Sequence, residues 1–271
     1  MEALATIVFS LAVIAYSVAT TEFFLALSRP GATVRSSTSS FTMGVGAAMH
    51  LLHIIIASFL LHTCPVASMR FVLSLAALVA VVSFLILRVG RRIDALGAFV
   101  GPLVLLLLIA SEFVETASVP PQLSLVLLML HVASNLFGLG FVLLAAGTSG
   151  FYLVVERRLR AKNMAALGRL PSLDVLDRLG HRLLLIGFPL LSFGCVTGGV
   201  FLHQLDVNSP ASLARAVLGY AAWIMVFVVL LQRALLGFSG RRSAYGTLAG
   251  ALCIALMLLV YLVRPFVGGG A

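Results

Sequence analysis

Six histidines are the residues of this chain best suited to chemistry. A neutral imidazole can ligate a metal or haem iron, and it tolerates burial better than a charged side chain. They are His50, His53, His62, His131, His181 and His203. His50 and His53 are three residues apart, so a helix puts them on one face. His131 opens the stretch HVASNLFGLG, where Asn135 four residues on and Gly138 seven on share its face. That face offers a ligand, a polar supporting group and a flat surface. Haem is large, flat and mostly apolar, and a bundle interior with one or two His ligands suits it. A buried His serves equally as a hydrogen-bond partner of a neighbouring helix. That reading fits any one His taken alone, whereas the set keeps haem open. The candidate cofactor-binding residues are therefore His131, His50, His53 and His203, with His131 as the candidate axial ligand of haem iron.

Other chemistries lack their residues. Cys64, Cys195 and Cys253 form no CxxC pair, which leaves disulfide transfer and zinc binding without a basis. Glu22, Glu112 and Glu115 are the carboxylates near span ends, and no chain of buried carboxylates suggests a proton-coupled pump. No nucleophile–base–orienter set or phosphate loop is visible, so the chain does not read as an enzyme.

The elements that must position these groups are membrane spans. Hydrophobic residues make up 61% of the chain and charged residues 10%, with a mean hydropathy of +1.15. A soluble domain is closer to half apolar and a quarter charged. The fold class expected is all-α: a polytopic membrane helix bundle of about eight transmembrane helices. Apolar runs place them near 3–27, 42–63, 67–88, 95–114, 124–155, 179–203, 212–235 and 244–266. The fifth is too long for one crossing and must tilt or project. The first run has no basic residues before it and reads as a mature span rather than a cleaved signal.

Fifteen of the 18 Lys and Arg fall in alternate loops, and only Arg70, Arg215 and Arg264 fall on the other side. That bias puts the basic loops in the cytoplasm and both termini on the outer, periplasmic side. All the histidines except His181 then lie within a span or at its outer end. The formal net charge of +9 is thereby explained by the membrane, and nucleic acid is not an expected partner. The 5–6 loop is the sizeable cytoplasmic feature. ERRLRAKNMAALGRL continues the fifth helix until Pro171 breaks it, and Ser172 can cap a short helix carrying Leu173, Leu176 and Leu179. Anionic lipid or a cytoplasmic partner would hold this loop. Gly97/Gly101, Gly194/Gly198 and Gly246/Gly250 form GxxxG spacings that allow close helix approach. The chain reads as one integral-membrane domain over 1–271, with a four-span part at 1–120 and a second part at 121–271.

The stretches LHVASNLFGLGFVLLAAGTSGFYLVVERRLR and PSLDVLDRLGHRLLLIGFPLLSFGCVTGGVF, followed by LLQRALLGFSGRRSAYGTLAG, resemble the cytochrome c assembly membrane proteins of the CcsA/HemX-like type. The resemblance covers about 130 residues, in the second part. It implies an inner-membrane protein of about eight spans that presents haem on the outer face, with His131 matching the external haem-ligand His. The pattern departs from the family's active members in lacking a tryptophan-rich loop with a WD ending. The interval FLHQLDVNSPASLARAVLGYAAW stands there instead, and the one Trp is Trp223 in the next span. The family's buried His falls at Gln232, and the C-terminal VYLVRPFVGGGA carries no His. The pattern is therefore more similar to the short, WD-less HemX-like branch.

This resemblance implies a membrane factor in cytochrome c maturation that binds, presents or assists haem on the outer face. His131 would need a second ligand. Depth favours His203 or His62, and the second span offers His50 or His53. The alternatives are a haem-free HemX-like scaffold or regulator acting through the basic 5–6 loop, and a small transporter. The expected partners are the lipid bilayer and either other cytochrome c biogenesis membrane proteins or a haem-synthesis enzyme.

Overall fold

The structure is a computed structural model that describes residues 2–28, 36–61, 68–89, 93–112, 125–162, 170–202 and 210–267. The described residues form eight α-helices, each with a stretch long and apolar enough to cross a membrane. These are α1 (Glu2–Ser28), α2 (Ser36–Leu61), α3 (Met69–Arg88), α4 (Gly97–Glu112), α5 (Leu125–Arg160), α6 (Leu173–Leu202), α7 (Pro210–Leu236) and α8 (Arg241–Val267). A 3₁₀ turn at Asp94–Leu96 leads into α4. Such a chain must be helical in lipid, because every backbone polar group has to be satisfied within its own segment.

Two compact units divide the chain, one built on α1–α4 and one on α5–α8. In the first, α1 packs on α2, α2 on α3, α3 on α4 and α4 back on α1. In the second, α5, α6, α7 and α8 close a ring in the same way. Each unit is thus a four-helix bundle joined by consecutive hairpins.

The three GxxxG spacings all lie at helix–helix contacts. Gly97 and Gly101 receive Phe23 and Thr20 of α1, Gly194 and Gly198 receive Asn135 and His131 of α5, and Gly246 and Gly250 receive Val229 and Met225 of α7. Lipid gives apolar helices no hydrophobic reason to associate, so close van der Waals packing at small residues has to supply the attraction.

Two local expectations are corrected. Ser172 does start a helix: its carbonyl accepts from the Leu176 amide at 3.1 Å and its hydroxyl from the Val175 amide at 3.4 Å. That helix is not a separate short one, however. It runs unbroken from Leu173 to Leu202 as α6, because the sequence between Leu179 and the apolar run contains no helix breaker, and Pro189 is carried inside it. The fifth helix is roughly 54 Å long at 1.5 Å per residue, more than one crossing needs, but it does not continue to Pro171. It ends at Arg160, where Ala161 and Lys162 turn and Lys162 takes φ 54°. The remainder of the basic segment, 163–169, lies outside the described residues, as do His62, Cys64, Glu115 and His203.

Candidate functional site

His131 sits on α5 one and a half turns from its start, against the glycine face of α6. A Cβ on Gly198 would come within 3.1 Å of His131 Cε1, and one on Gly194 would overlap the Asn135 carboxamide. The imidazole and the amide therefore occupy the two notches of this GxxxG.

The hydrogen bonds fix the ring. Thr197 Oγ1 lies 2.8 Å from the Phe193 carbonyl and 3.1 Å from the Gly194 carbonyl, either of which can take its proton. The same oxygen lies 2.9 Å from His131 Nδ1. With Nδ1–H donating to it, the lone pair would lie on Nε2, the arrangement a metal-bound imidazole needs. Asn135 donates from Nδ2 to the His131 carbonyl at 2.8 Å. The same nitrogen is 3.3 Å from Nδ1 and 3.4 Å from Nε2, within hydrogen-bond reach of both ring nitrogens. His131 is half-buried.

On the adjacent face of α6 lies an aromatic group. Phe188, Trp223 and Phe227 stack with centroids 5.6–5.8 Å apart, and the Trp223 and Phe227 planes are only 2° from parallel. Trp223 Nε1–H donates to Ser192 Oγ at 2.8 Å, and the Tyr220 hydroxyl donates to the Cys195 carbonyl at 3.2 Å. Sequence reading placed Trp223 within the seventh span and assigned it no contacts.

His50 and His53 belong to the first unit and do share one face of α2, turned toward α1. His50 is fully buried. Its Nδ1 bonds the Tyr16 hydroxyl at 3.3 Å and its Nε2 bonds Ser74 Oγ at 2.8 Å, so both ring nitrogens are engaged. His53 donates from Nδ1 to the Ala5 carbonyl at 3.1 Å, and its Nε2 faces Glu112 Oε1 at 3.9 Å. Arg70 holds the other oxygen of Glu112 at 2.5 Å. These two histidines are thus parts of a polar cluster linking all four helices of the unit.

His181 lies on α6 toward its start, in a small recess with Tyr152, Asp177, Gly240, Ser243 and Thr247. Asp177 ties that end of the second unit together. Its carboxylate accepts from Arg233 at 2.7 and 3.1 Å and from the Gly240 amide at 2.8 Å. Gly240 has φ +69°, a left-handed conformation that favours glycine there. The LDVLDRL and LLQRALLGFSG segments are thereby joined through one carboxylate. Opposite charges in two separated segments were the only sequence signal for this pair.

Thr197, Ser74, Tyr16 and Arg70 are the functional-site neighbours that sequence reasoning missed. Each is an ordinary helix residue whose partner lies 24 to 66 positions away. Among the described residues no group of three or more His, Cys, Asp and Glu is placed to hold a metal ion. The donor set at His131 is one imidazole with Thr197 and Asn135 beside it.

Inner membrane protein YpjD of Escherichia coli, in strains K12 and O157:H7, is 27% identical over 129 residues, 48% of this chain and 48% of YpjD. Cytochrome c biogenesis protein CcsA of Trieres chinensis is 27% identical over 107 residues, 40% of this chain and 33% of CcsA. These matches span half the length of the curated relatives or less. No solved structure matches the chain. The cytochrome c assembly protein family matches residues 3–267, nearly the whole sequence, and this multi-pass membrane protein belongs to that family.

Proposed function

We propose that this protein binds haem through His131 and presents it on the outer face of the inner membrane during cytochrome c maturation. The observation that carries the reading is the His131 imidazole seated against Gly198 with its Nδ1 2.9 Å from Thr197 Oγ1, a partner that can orient the ring with Nε2 toward a ligand. When bound, the haem would supply the group to be attached. His131 would hold the iron, Thr197 would orient the ring, and the glycine notches of α6 would set its depth. The second ligand is proposed to be His203 or His62. His53 would have to leave its contact with Glu112, and His50 would have to give up a buried hydroxyl.

The family supports haem handling as the task, and the likeness to YpjD, an inner membrane protein, supports the location. The arginine bias supports an orientation with the basic loops in the cytoplasm and both termini outside. Absence of the WD loop supports a HemX-like role alongside other biogenesis membrane proteins or a haem-synthesis enzyme.

An absorption spectrum of the detergent-purified protein, oxidised and then dithionite-reduced, tests the proposal. A Soret band with sharp reduced α and β bands, weakened by His131→Ala, is the expected result. A colourless protein that takes up no added hemin would replace the proposal with the haem-free scaffold reading.

A further inference from the structure

The second unit carries a cluster of cations at its basic end that the haem site does not use. Arg157 in the last turn of α5 and Arg241 in the first turn of α8 both lie in the neighbourhood of Tyr245. The Arg241 guanidinium also lies 5.6 Å from the Tyr245 ring centroid, and that of Arg242 lies 4.5 Å from the Phe238 ring. Parked on aromatic faces, these guanidiniums keep a fixed direction while staying exposed.

Glu156, the carboxylate whose charge reaches Arg241, is shared with Arg160. Glu156 pairs with Arg160, Asp174 with Arg178, and Asp177 with Arg233. Arg157, Arg241 and Arg242 enter no ion pair among the described residues. Two like charges beside one phenol repel each other, and an anion bridging them removes the repulsion.

A second observation says what kind of anion. Starting at Tyr245, which is 47% exposed, α8 presents Leu252, Leu256 and Leu259 in one exposed stripe, spaced seven, four and three residues apart. The stripe runs roughly 21 Å at 1.5 Å per residue, longer than the ~15 Å hydrocarbon depth of one leaflet. A cationic notch at one end of an apolar track matches a molecule with an anionic head and long acyl chains.

We propose that Arg157, Arg241 and Tyr245 form a binding site for an anionic phospholipid, its phosphate on the two guanidiniums and an acyl chain along α8. The site is independent of the haem reading and holds whether or not haem binds. It adds a lipid-dependent contact between α5 and α8, helices that pack on one another within this unit.

The test is native mass spectrometry of the full-length detergent-purified protein, titrated separately with dioleoyl-phosphatidylglycerol, dioleoyl-phosphatidylcholine and inorganic phosphate. Retained phosphatidylglycerol adducts are expected, with weaker phosphatidylcholine adducts and none from phosphate. At about fivefold per cation near a charged surface, the Arg157→Gln/Arg241→Gln double variant should lose about thirtyfold in phosphatidylglycerol affinity. Arg178→Gln, whose guanidinium is already held by Asp174, should leave it unchanged. Should the double variant fail to stay monodisperse, Tyr245→Phe carries the test and should weaken binding severalfold. Equal retention of the two lipids, or unchanged phosphatidylglycerol binding in the variants, would overturn the site. Phosphate binding as tight as the lipid would make it a free-anion site and overturn the lipid assignment.

Discussion

His131 and His50 are the same residue type in two four-helix bundles, and their surroundings give them opposite chemistry. His50 is completely enclosed, and each of its nitrogens meets a hydroxyl, Tyr16 on one side and Ser74 on the other. Whichever tautomer it adopts, one nitrogen donates and the other accepts. Recruiting it to iron would leave a buried hydroxyl without its partner, at a cost of about 1–3 kcal/mol. His131 is half-buried, and its supporting hydroxyl is already committed to a backbone carbonyl. If Thr197 accepts from Nδ1–H, the lone pair lies on Nε2, directed away from that hydroxyl. The difference teaches that a histidine in a membrane is read by what its partners' protons are doing, more than by its depth.

The largest effect expected from this comparison is on haem retention. His131→Ala should lower the Soret absorbance per protein at least tenfold, whereas His50→Ala should leave it within about twofold, since only the first removes the proposed ligand nitrogen. Equal losses in the two variants would erase the distinction. Thr197→Val keeps the shape of α6 and removes the oxygen that orients the ring. Such supporting groups contribute about 10–100-fold to metal affinity, so hemin titration should show a loss near the low end of that range, with Thr197→Ser restoring it. Unchanged hemin affinity in the valine variant would mean that the tautomer is set elsewhere.

Stability should respond in the opposite order. His50→Ala leaves the Tyr16 and Ser74 hydroxyls facing a cavity, and thermal unfolding in detergent should show destabilisation of about 2–3 kcal/mol. His131→Ala, at a half-buried position, should be the milder of the two. A His131 variant that unfolds first would show that its role is packing on Gly198 rather than ligation.

The sequence makes the helices legible because lipid permits so few alternatives. Eight apolar runs became eight helices, and the Gly pairs lie where helices meet. Boundaries were less legible where polar residues continue a helix past the apolar run. α6 starts at Leu173 because Ser172 supplies the cap and nothing interrupts the chain afterward. His131 could be singled out from its neighbours Asn135 and Gly138, which lie one and two turns away on the same helix. Its partner Thr197 could not, because 66 residues separate them and a threonine in a span usually bonds its own preceding turn. Thr197 does that as well, and only the packing of α5 on α6 adds the second bond. The same holds for His50 and Ser74: the three-residue spacing with His53 was visible, but the saturation of both nitrogens depends on where α1 and α3 lie.

The smallest and sharpest test separates the two hydrogen bonds of His50. Ser74 Oγ lies 2.8 Å from Nε2, whereas the Tyr16 hydroxyl lies 3.3 Å from Nδ1. Tyr16→Phe deletes the longer bond and keeps the ring, which meets the imidazole edge-on at 5.9 Å. Hydrogen bonds between membrane helices average about 0.6 kcal/mol, and the longer one should lie at or below that figure. Ser74→Ala removes the shorter bond with little change in volume and should cost more, about 1 kcal/mol. Neither variant should alter the haem spectrum, because the first unit's cluster already satisfies itself. If Tyr16→Phe proves the costlier change, the Tyr16 bond is the dominant one and His50 is oriented from α1. A spectral change in either variant would instead show that the first unit's cluster bears on haem binding.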